Sequence, residues 1–415
     1  MLNSKLQIPN FLKSKKLIFF GLLIIVLGVG ALLIKTYVGD LRPAILPPKE
    51  DLPEIIEKQN TGEGVDFPLE IAGDFKIGVF AKDMGSARDL QFSPGGTLLV
   101  SSKESGTVYA LPDKNKNGKA DEKVEVLTGL DKPHGLAFYP FDTATGKQVK
   151  LFVAELRRVS RYSWDEKNLK ATFEKKLFDL PYSGGHSTRS VVIDNDGKLF
   201  VSIGSSCNVC VEEHPWLTTI VVSDTQGSDP KVYAEGLRNS VFMTINPATG
   251  QLWATEMGRD WLGDDLPPDE INIIRESADY GWPYCWGDKV HDADFDPEGK
   301  FKGRCEKSVA PAFKIQAHSA PLGLIFINSA QFPESWQGDL LVSYHGSWNR
   351  SVPTGYKAVR LKVDGEKVTG QEDFILGFLQ GSNALSRPVD LEFDKNGSLF
   401  ISDDKIGVIY KVVKN

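Results

Sequence analysis

The 415-residue chain carries 48 Lys and Arg against 55 Asp and Glu, a formal charge of −7, with 41% hydrophobic and 10% aromatic residues. This is the composition of an ordinary globular protein with ample chain for a large core. The acidic balance, with no basic stripe beyond the first few residues, argues against a nucleic-acid partner.

The N-terminus departs from the globular pattern. Leu17 to Ile34 is an uncharged apolar run, which as a helix spans about 27 Å at about 1.5 Å per residue. Lys5, Lys13, Lys15 and Lys16 precede it, so the positive-inside rule keeps residues 1–16 cytoplasmic and exports everything after the run. The expectation is a single-pass signal anchor over 17–38, a cell-membrane location, and the remaining chain on the extracytoplasmic side. A cleaved signal peptide is the competing reading. Residues 39–70, with Pro43, Pro47, Pro48 and Pro53 among charges, read as an extended linker, leaving 71–415 as the folded domain.

From Asp83 onward, short β-branched and aromatic runs alternate with Gly, Asn and Asp turns. One unit recurs: apolar strand, turn with Gly, second apolar strand. Leu90-Gln91-Phe92 with Gly96 and Leu98-Leu99-Val100 is the first copy, and Val191-Val192-Ile193 with Gly197 and Leu199-Phe200-Val201 the third. The six turn glycines (Gly96, Gly146, Gly197, Gly250, Gly338, Gly397) are separated by 50, 51, 53, 88 and 59 residues. All-strand repeats of about 40–50 residues predict a β-propeller, here an all-β, six-bladed one; a β-sandwich is the alternative. The long fourth interval makes Glu235 to Cys285 the edge of blade four plus its insertion.

Between the first and second copies, Asp113, Asn115, Asn117 and Asp121 with Gly118 have the spacing of an EF-hand-like calcium loop, but Val124 stands where the bidentate Glu belongs. A weak calcium loop and a plain Asn/Gly turn fit equally well.

Four cysteines suit an exported protein. Cys207 and Cys210 are three positions apart, and Cys285 and Cys305 flank a polar loop; local disulfides Cys207–Cys210 and Cys285–Cys305 are expected. A c-type haem would need His where Val211 stands, and a zinc site has only His214 nearby.

The residues just before each inner strand should converge on the central channel: Arg88-Asp89, Pro133-His134, His186 with Arg189, Arg238-Asn239, Pro321-Leu322, and Arg387 with Asp390. Positive groups around one channel suggest a polyanionic ligand.

Ordered motifs follow the repeats: Gly184-Gly185-His186-Ser187-Thr188-Arg189, Gly236-Leu237-Arg238-Asn239, Glu256-Met257-Gly258, Asp269-Glu270-Ile271-Asn272, Tyr280-Gly281-Trp282-Pro283 and Arg387-Pro388. From about Phe75 onward the chain resembles the PQQ-dependent glucose/sorbosone dehydrogenases, soluble aldose sugar dehydrogenase-like quinoproteins with six-bladed propellers. The resemblance implies an enzyme that uses PQQ and Ca2+ to oxidise an aldose or related sugar at C1 and passes electrons to a quinone or cytochrome acceptor. It implies that His186 is the general base, that Arg238 is catalytic and binds cofactor with Asn239, and that Arg387 clamps a cofactor carboxylate. The backbone carbonyls of Gly258 and Arg259 would ligate the calcium at the cofactor, and Glu270 with the carbonyl of Tyr280 a second calcium. The family's cofactor-binding lysine has no counterpart in Tyr344 to Arg350, where His345 or Arg350 stands in. Gly185 replaces the acidic residue that glucose-oxidising members carry before the base, and Lys132-Pro133-His134 replaces a glutamine-containing segment, which puts glucose specificity in doubt. A calcium-dependent lactonase and a non-enzymatic glycan- or protein-binding propeller are the other readings; the channel candidates, mainly His and Arg, disfavour a carboxylate-rich lactonase centre.

Overall fold

The computed structural model describes residues 64–143 and 146–415. Six sheets, each built on four antiparallel strands and two of them extended by a fifth, succeed one another along the chain. Blade 1 runs from Ala87–Phe92 to Val124–Leu127, blade 2 from Gly135–Thr143 to Lys170–Asp179, and blade 3 from Val191–Ile193 to Lys231–Glu235. Blade 4 runs from Met243–Ile245 to Phe313–Ile315, and blade 5 from Pro321–Phe326 to Lys367–Leu376. Blade 6 takes three strands, starting with Pro388–Phe393, from the C-terminal end of the chain. Its outermost strand is Phe75–Ala81, which pairs antiparallel with Val408–Lys414, Phe75 facing Lys414. The ring is thus closed by strands from both ends of the described chain, and the six-bladed propeller expected from the repeat is what the chain forms.

The second strands of the blades are deeply covered. Leu98–Ser102, Leu252–Glu256, Leu340–Tyr344 and Leu399–Asp403 are buried at every position, because neighbouring blades cover both faces. Such strands read as continuous apolar runs instead of alternating ones. Each of the six blade interfaces has its own apolar cluster; Trp253 against Phe326, for example, joins blades 4 and 5.

A hydroxyl near the inner end of that strand stitches one blade to the next. Ser101 Oγ donates to His134 O at 2.7 Å, Thr255 Oγ1 to Leu322 O at 2.8 Å, and Ser402 Oγ to Arg88 O at 2.6 Å. Ser343 Oγ donates to Val389 O in the same way. The backbone acceptors belong to residues beside the channel, so these bonds fix what faces it.

Two features differ from the sequence expectation. Leu69 is fully buried, and Glu70–Ile71 adds a strand to blade 5 against Ile375 and Leu376; the propeller's packing therefore reaches into the last residues assigned to the linker. Glu235 closes the outer strand of blade 3, not blade 4. The insertion of blade 4 reaches back to it, Ala278–Asp279 pairing parallel with Ala234–Glu235. That insertion is tied by the Cys285–Cys305 disulfide and carries a short helix, Lys302–Lys307. Among the described residues no helix is long and apolar enough to cross a membrane; the segment 17–38 lies outside them.

Candidate active site

His186 lies in the loop entering blade 3. Gly185, at φ 67°, turns the chain there, and a Cβ on it would meet Ser205 O and Ser206 backbone atoms at 2.5 Å. The same approach lets the Ser205 carbonyl accept from both the His186 backbone N–H at 2.9 Å and ring Nδ1 at 3.0 Å. Ser205 Oγ also lies 2.9 Å from Nδ1 and donates its own proton to Cys207 O at 2.7 Å. Both Ser205 oxygens therefore act as acceptors toward Nδ1, which places the ring proton there and the lone pair on Nε2. Nε2 has no hydrogen-bond partner among the described residues. Burial and the nearby Arg238 charge lower the His186 pKa to about 3, although Ser205 opposes the shift. At neutral pH the ring is an uncharged acceptor.

Asn239 belongs to the same group. A Cβ on Gly204 would stand 2.7 Å from Asn239 Oδ1 and 2.8 Å from His186 Cβ, so glycine is required for both side chains to approach. Asn239 Nδ2 meets Met257 Sδ at 3.3 Å, a weak acceptor. Its backbone N–H donates to Glu256 Oε1 at 2.8 Å.

Arg238 is buried and its guanidinium is fully engaged. Nε donates to Asn208 O at 2.9 Å, Nη2 to Asn208 Oδ1 at 3.0 Å and Asp260 Oδ2 at 3.2 Å. Nη1 donates to Gly258 O at 2.9 Å and Met257 O at 3.3 Å. One lone pair of the Gly258 carbonyl is thus already used, while Gly258 N donates to Asp269 Oδ1 at 2.9 Å. The Arg259 side chain pairs with Asp292 at 2.8 Å.

Behind Gly258 a small cavity is lined by Glu256, Glu270, Tyr280, Trp282 and Trp286. Burial raises Glu256 to about 8 and Glu270 to about 7. Glu270 accepts from Gly287 N and from the amide of Asn272, whose Oδ1 is buried without a partner. Glu270 and Tyr280 both line this cavity.

A second cluster spans blades 5, 6 and 1. His345 donates from Nε2 to Asp404 Oδ1 at 2.8 Å, and Arg88 Nη1 donates to Asp404 Oδ2 at 2.7 Å. Burial pushes the Asp404 pKa up, but His345 and Arg88 together hold it below the usual carboxylate range. Burial lowers the His345 pKa, so its Nδ1 is free to accept from Arg387 Nη1 at 3.2 Å. Arg387 also donates to Tyr356 OH at 2.9 Å and stacks on that ring. The Arg387 backbone N–H donates to Asp403 Oδ2, but among the described residues its guanidinium has no carboxylate partner. Lys103 continues the positive edge toward His186, its Nζ 3.3 Å from Ser187 Oγ, with its pKa lowered by burial and by Arg88.

An expected channel residue, Arg189, and an expected cofactor-binding residue, Arg350, behave differently. Arg189 is fully buried and donates to the carbonyls of Pro181, His186 and Thr188; it staples the His186 loop and does not face a ligand. Arg350 is held by Asp264 and Asp265 on the blade 4 insertion, so His345 is the one brought against Arg387. Ser205, Asn208, Asp260, Tyr356 and Asp404 were missed from sequence. Asp260 directly follows the Gly258-Arg259 motif and Asp404 the last strand pair; both stood at recognisable positions, but nothing marked their arginine partners.

Residues 69–415 match the TrAA12-like family. The chain belongs to that family. TrAA12-like proteins are PQQ-dependent sugar oxidoreductases, and this chain is accordingly an enzyme of that class. A PQQ-dependent sugar dehydrogenase of Hypocrea jecorina is 22% identical over 83% of this chain and 90% of its own length. A protein of Borreliella burgdorferi without a described activity is 28% identical over 84% of this chain and 92% of its own. Among solved structures, the pyranose dehydrogenase PQQ domain of Coprinopsis cinerea superposes with a TM-score of 0.71 at 19% identity, covering 85% of this chain and 98% of that one. A calcium-containing structure of the Trichoderma reesei AA12 enzyme gives 0.70 at 21% identity, covering 86% and 100%. At these identities the structures establish the shared propeller.

Proposed function

We propose that this TrAA12-like protein is a PQQ- and Ca2+-dependent dehydrogenase that oxidises an aldose or related sugar at C1, with His186 as the general base. The observation that carries the reading is the His186 ring itself: Nδ1 anchored on Ser205, Nε2 unpartnered, and a pKa lowered to about 3. That is the state of a base ready to take a hydroxyl proton at neutral pH.

The donor set suits a tricarboxylate cofactor. Arg387 offers a guanidinium with no carboxylate of its own, and the Arg88–Asp404–His345 triad beneath it holds His345 so that Arg387 stays charged and oriented. Arg238 and Asn239 would address the other side of the cofactor. The second lone pair of Gly258 O, with Arg259 O, suits the calcium at the cofactor; Glu270, Tyr280 O and the unpaired Asn272 Oδ1 suit a second calcium, oxygen ligands being what this ion takes. When bound, PQQ supplies the electrophilic quinone that accepts the hydride. The chain's own part is to hold the sugar C1 hydroxyl near His186 Nε2, take its proton there, and present Arg238 as a fixed positive charge.

The two disulfides support an extracytoplasmic location, and the apolar run Leu17–Ile34 after four lysines supports a single-pass membrane anchor. From there electrons would pass to a quinone or cytochrome. Full-length protein reconstituted with PQQ and Ca2+ and assayed for dye reduction over a panel of aldoses tests the proposal. Sugar-dependent reduction that requires both additions is expected; its absence across the panel, with no change in PQQ absorbance on mixing, overturns it.

A further inference from the structure

The loop joining Lys198–Ile203 to Thr219–Asp224 in blade 3 spans 204–218 without regular strand or helix. A connection of this length has no local reason to be fixed, yet it meets the Arg238 guanidinium with two oxygens. The Cys207–Cys210 disulfide closes a four-residue ring inside it, with Cα atoms 6.2 Å apart. The two sulfurs are joined to each other, so the group they form with Glu212 is not a pair of thiolate ligands. Glu212 instead accepts from the backbone N–H and the hydroxyl of Ser206, each at 2.7 Å, tying the ring to the strand end.

Asn208 is the residue the ring presents. Its backbone O accepts from Arg238 Nε at 2.9 Å, and its Oδ1 accepts from Arg238 Nη2 at 3.0 Å and from Asp260 N at 2.8 Å. Its Nδ2 donates to Asp260 O at 3.1 Å. One residue thus grips the Nε/Nη2 edge of the guanidinium with two oxygens and sets the backbone of the carboxylate that pairs with it. The planar fork of Arg is fixed by such two-point contact. The same loop reaches the base, since Cys207 O takes the Ser205 hydroxyl proton and leaves that oxygen free for His186 Nδ1.

We propose that Asn208, presented by the Cys207–Cys210 ring, is the positioning residue for Arg238, so that blade 3 aligns the charge that blade 4's entry loop supplies. The functional consequence rests on the dehydrogenase reading; the positioning itself does not. In Asn208→Ala the Nε/Nη2 edge loses one acceptor and Asp260 loses two bonds. The kcat of the loaded enzyme should fall about 10- to 100-fold with little change in sugar KM, the range seen when groups behind a ligand-contacting residue are removed. Asn208→Asp, which keeps the acceptor oxygen toward Arg238, should recover most of that loss.

The deciding readout is the apo geometry, from crystal structures of the full-length Asn208→Ala and Cys207→Ser/Cys210→Ser proteins, with a calorimetric PQQ titration of each beside it. Displacement of the Arg238 guanidinium from Gly258 O in both variants, with weakened PQQ binding while the propeller stays folded, supports the proposal. A guanidinium that stays in place in both variants overturns it, whatever their activity. A wild-type protein that binds no PQQ overturns the dehydrogenase reading alone, because the apo geometry still decides the positioning. If Asn208→Ala fails to fold, the double serine variant carries the same comparison.

Discussion

His186 Nδ1 sits 3.0 Å from the carbonyl oxygen of Ser205, a residue on the far side of the first strand pair of blade 3. This one contact fixes the tautomer, the ring plane and the free nitrogen of the proposed base, and it does so with a backbone atom that side-chain substitution cannot remove. Replacing His186 by Ala should lower kcat about 10²- to 10⁴-fold, the usual contribution of a positioned base. PQQ affinity should change far less, because Nε2 addresses substrate in this account. Steady-state kinetics beside a PQQ titration checks both; equal losses in the two would assign His186 to cofactor binding.

The pH behaviour of His186 has a definite sign. Its folded pKa, about 3, lies below the roughly 6.5 of a free imidazole. Between these values the unfolded chain binds the proton and the folded one does not, so this residue's contribution to stability is full above about pH 6.5 and declines as pH falls toward 3. Its imidazole signals should stay unshifted from pH 8 to pH 5. Going from pH 7 to pH 5, wild type should lose more stability than His186→Asn, and denaturant unfolding at the two pH values measures the difference.

Arg387 is the guanidinium left without a carboxylate. Arg387→Ala should weaken PQQ binding by roughly tenfold or more, the value of a charge-assisted hydrogen bond. Arg387→Lys should recover only part, since an ammonium cannot stack on Tyr356 and fork to a carboxylate together. Calorimetric titration of the calcium-loaded protein separates these outcomes.

Asp404 holds Arg88 and His345 at once, and Arg88 is buried. Asp404→Asn leaves that guanidinium without its counter-charge and should cost about 3–5 kcal/mol of stability, as broken buried pairs do. Asp404→Asn combined with Arg88→Met should regain much of it. A double variant as unstable as the single one would place the cost in the Asp404 loop itself.

The propeller was legible because its signal is periodic: Gly96, Gly197 and Gly250 mark turns with positive φ between strand pairs that recur every 50 residues or so. The motif residues His186, Arg238, Asn239 and Arg387 were legible for a different reason, a local order shared with a family. Their partners were not. Asn208 meets Arg238 across 30 residues, and Asp404 meets Arg88 across 316, separations that only blade packing and ring closure bring together. Arg189 shows the converse error. Its position in the repeat pointed to the channel, but the guanidinium turns inward and donates to three carbonyls of its own loop.

The central claim is tested most directly by loading wild type and His186→Asn with PQQ and Ca2+, mixing each with an aldose without oxygen or dye, and following cofactor absorbance in a stopped-flow instrument. The account predicts a rapid sugar-dependent reduction of PQQ in wild type, slowed at least about a hundredfold in His186→Asn. Equal rates in the two proteins, or no reduction in wild type with PQQ demonstrably bound, would contradict it.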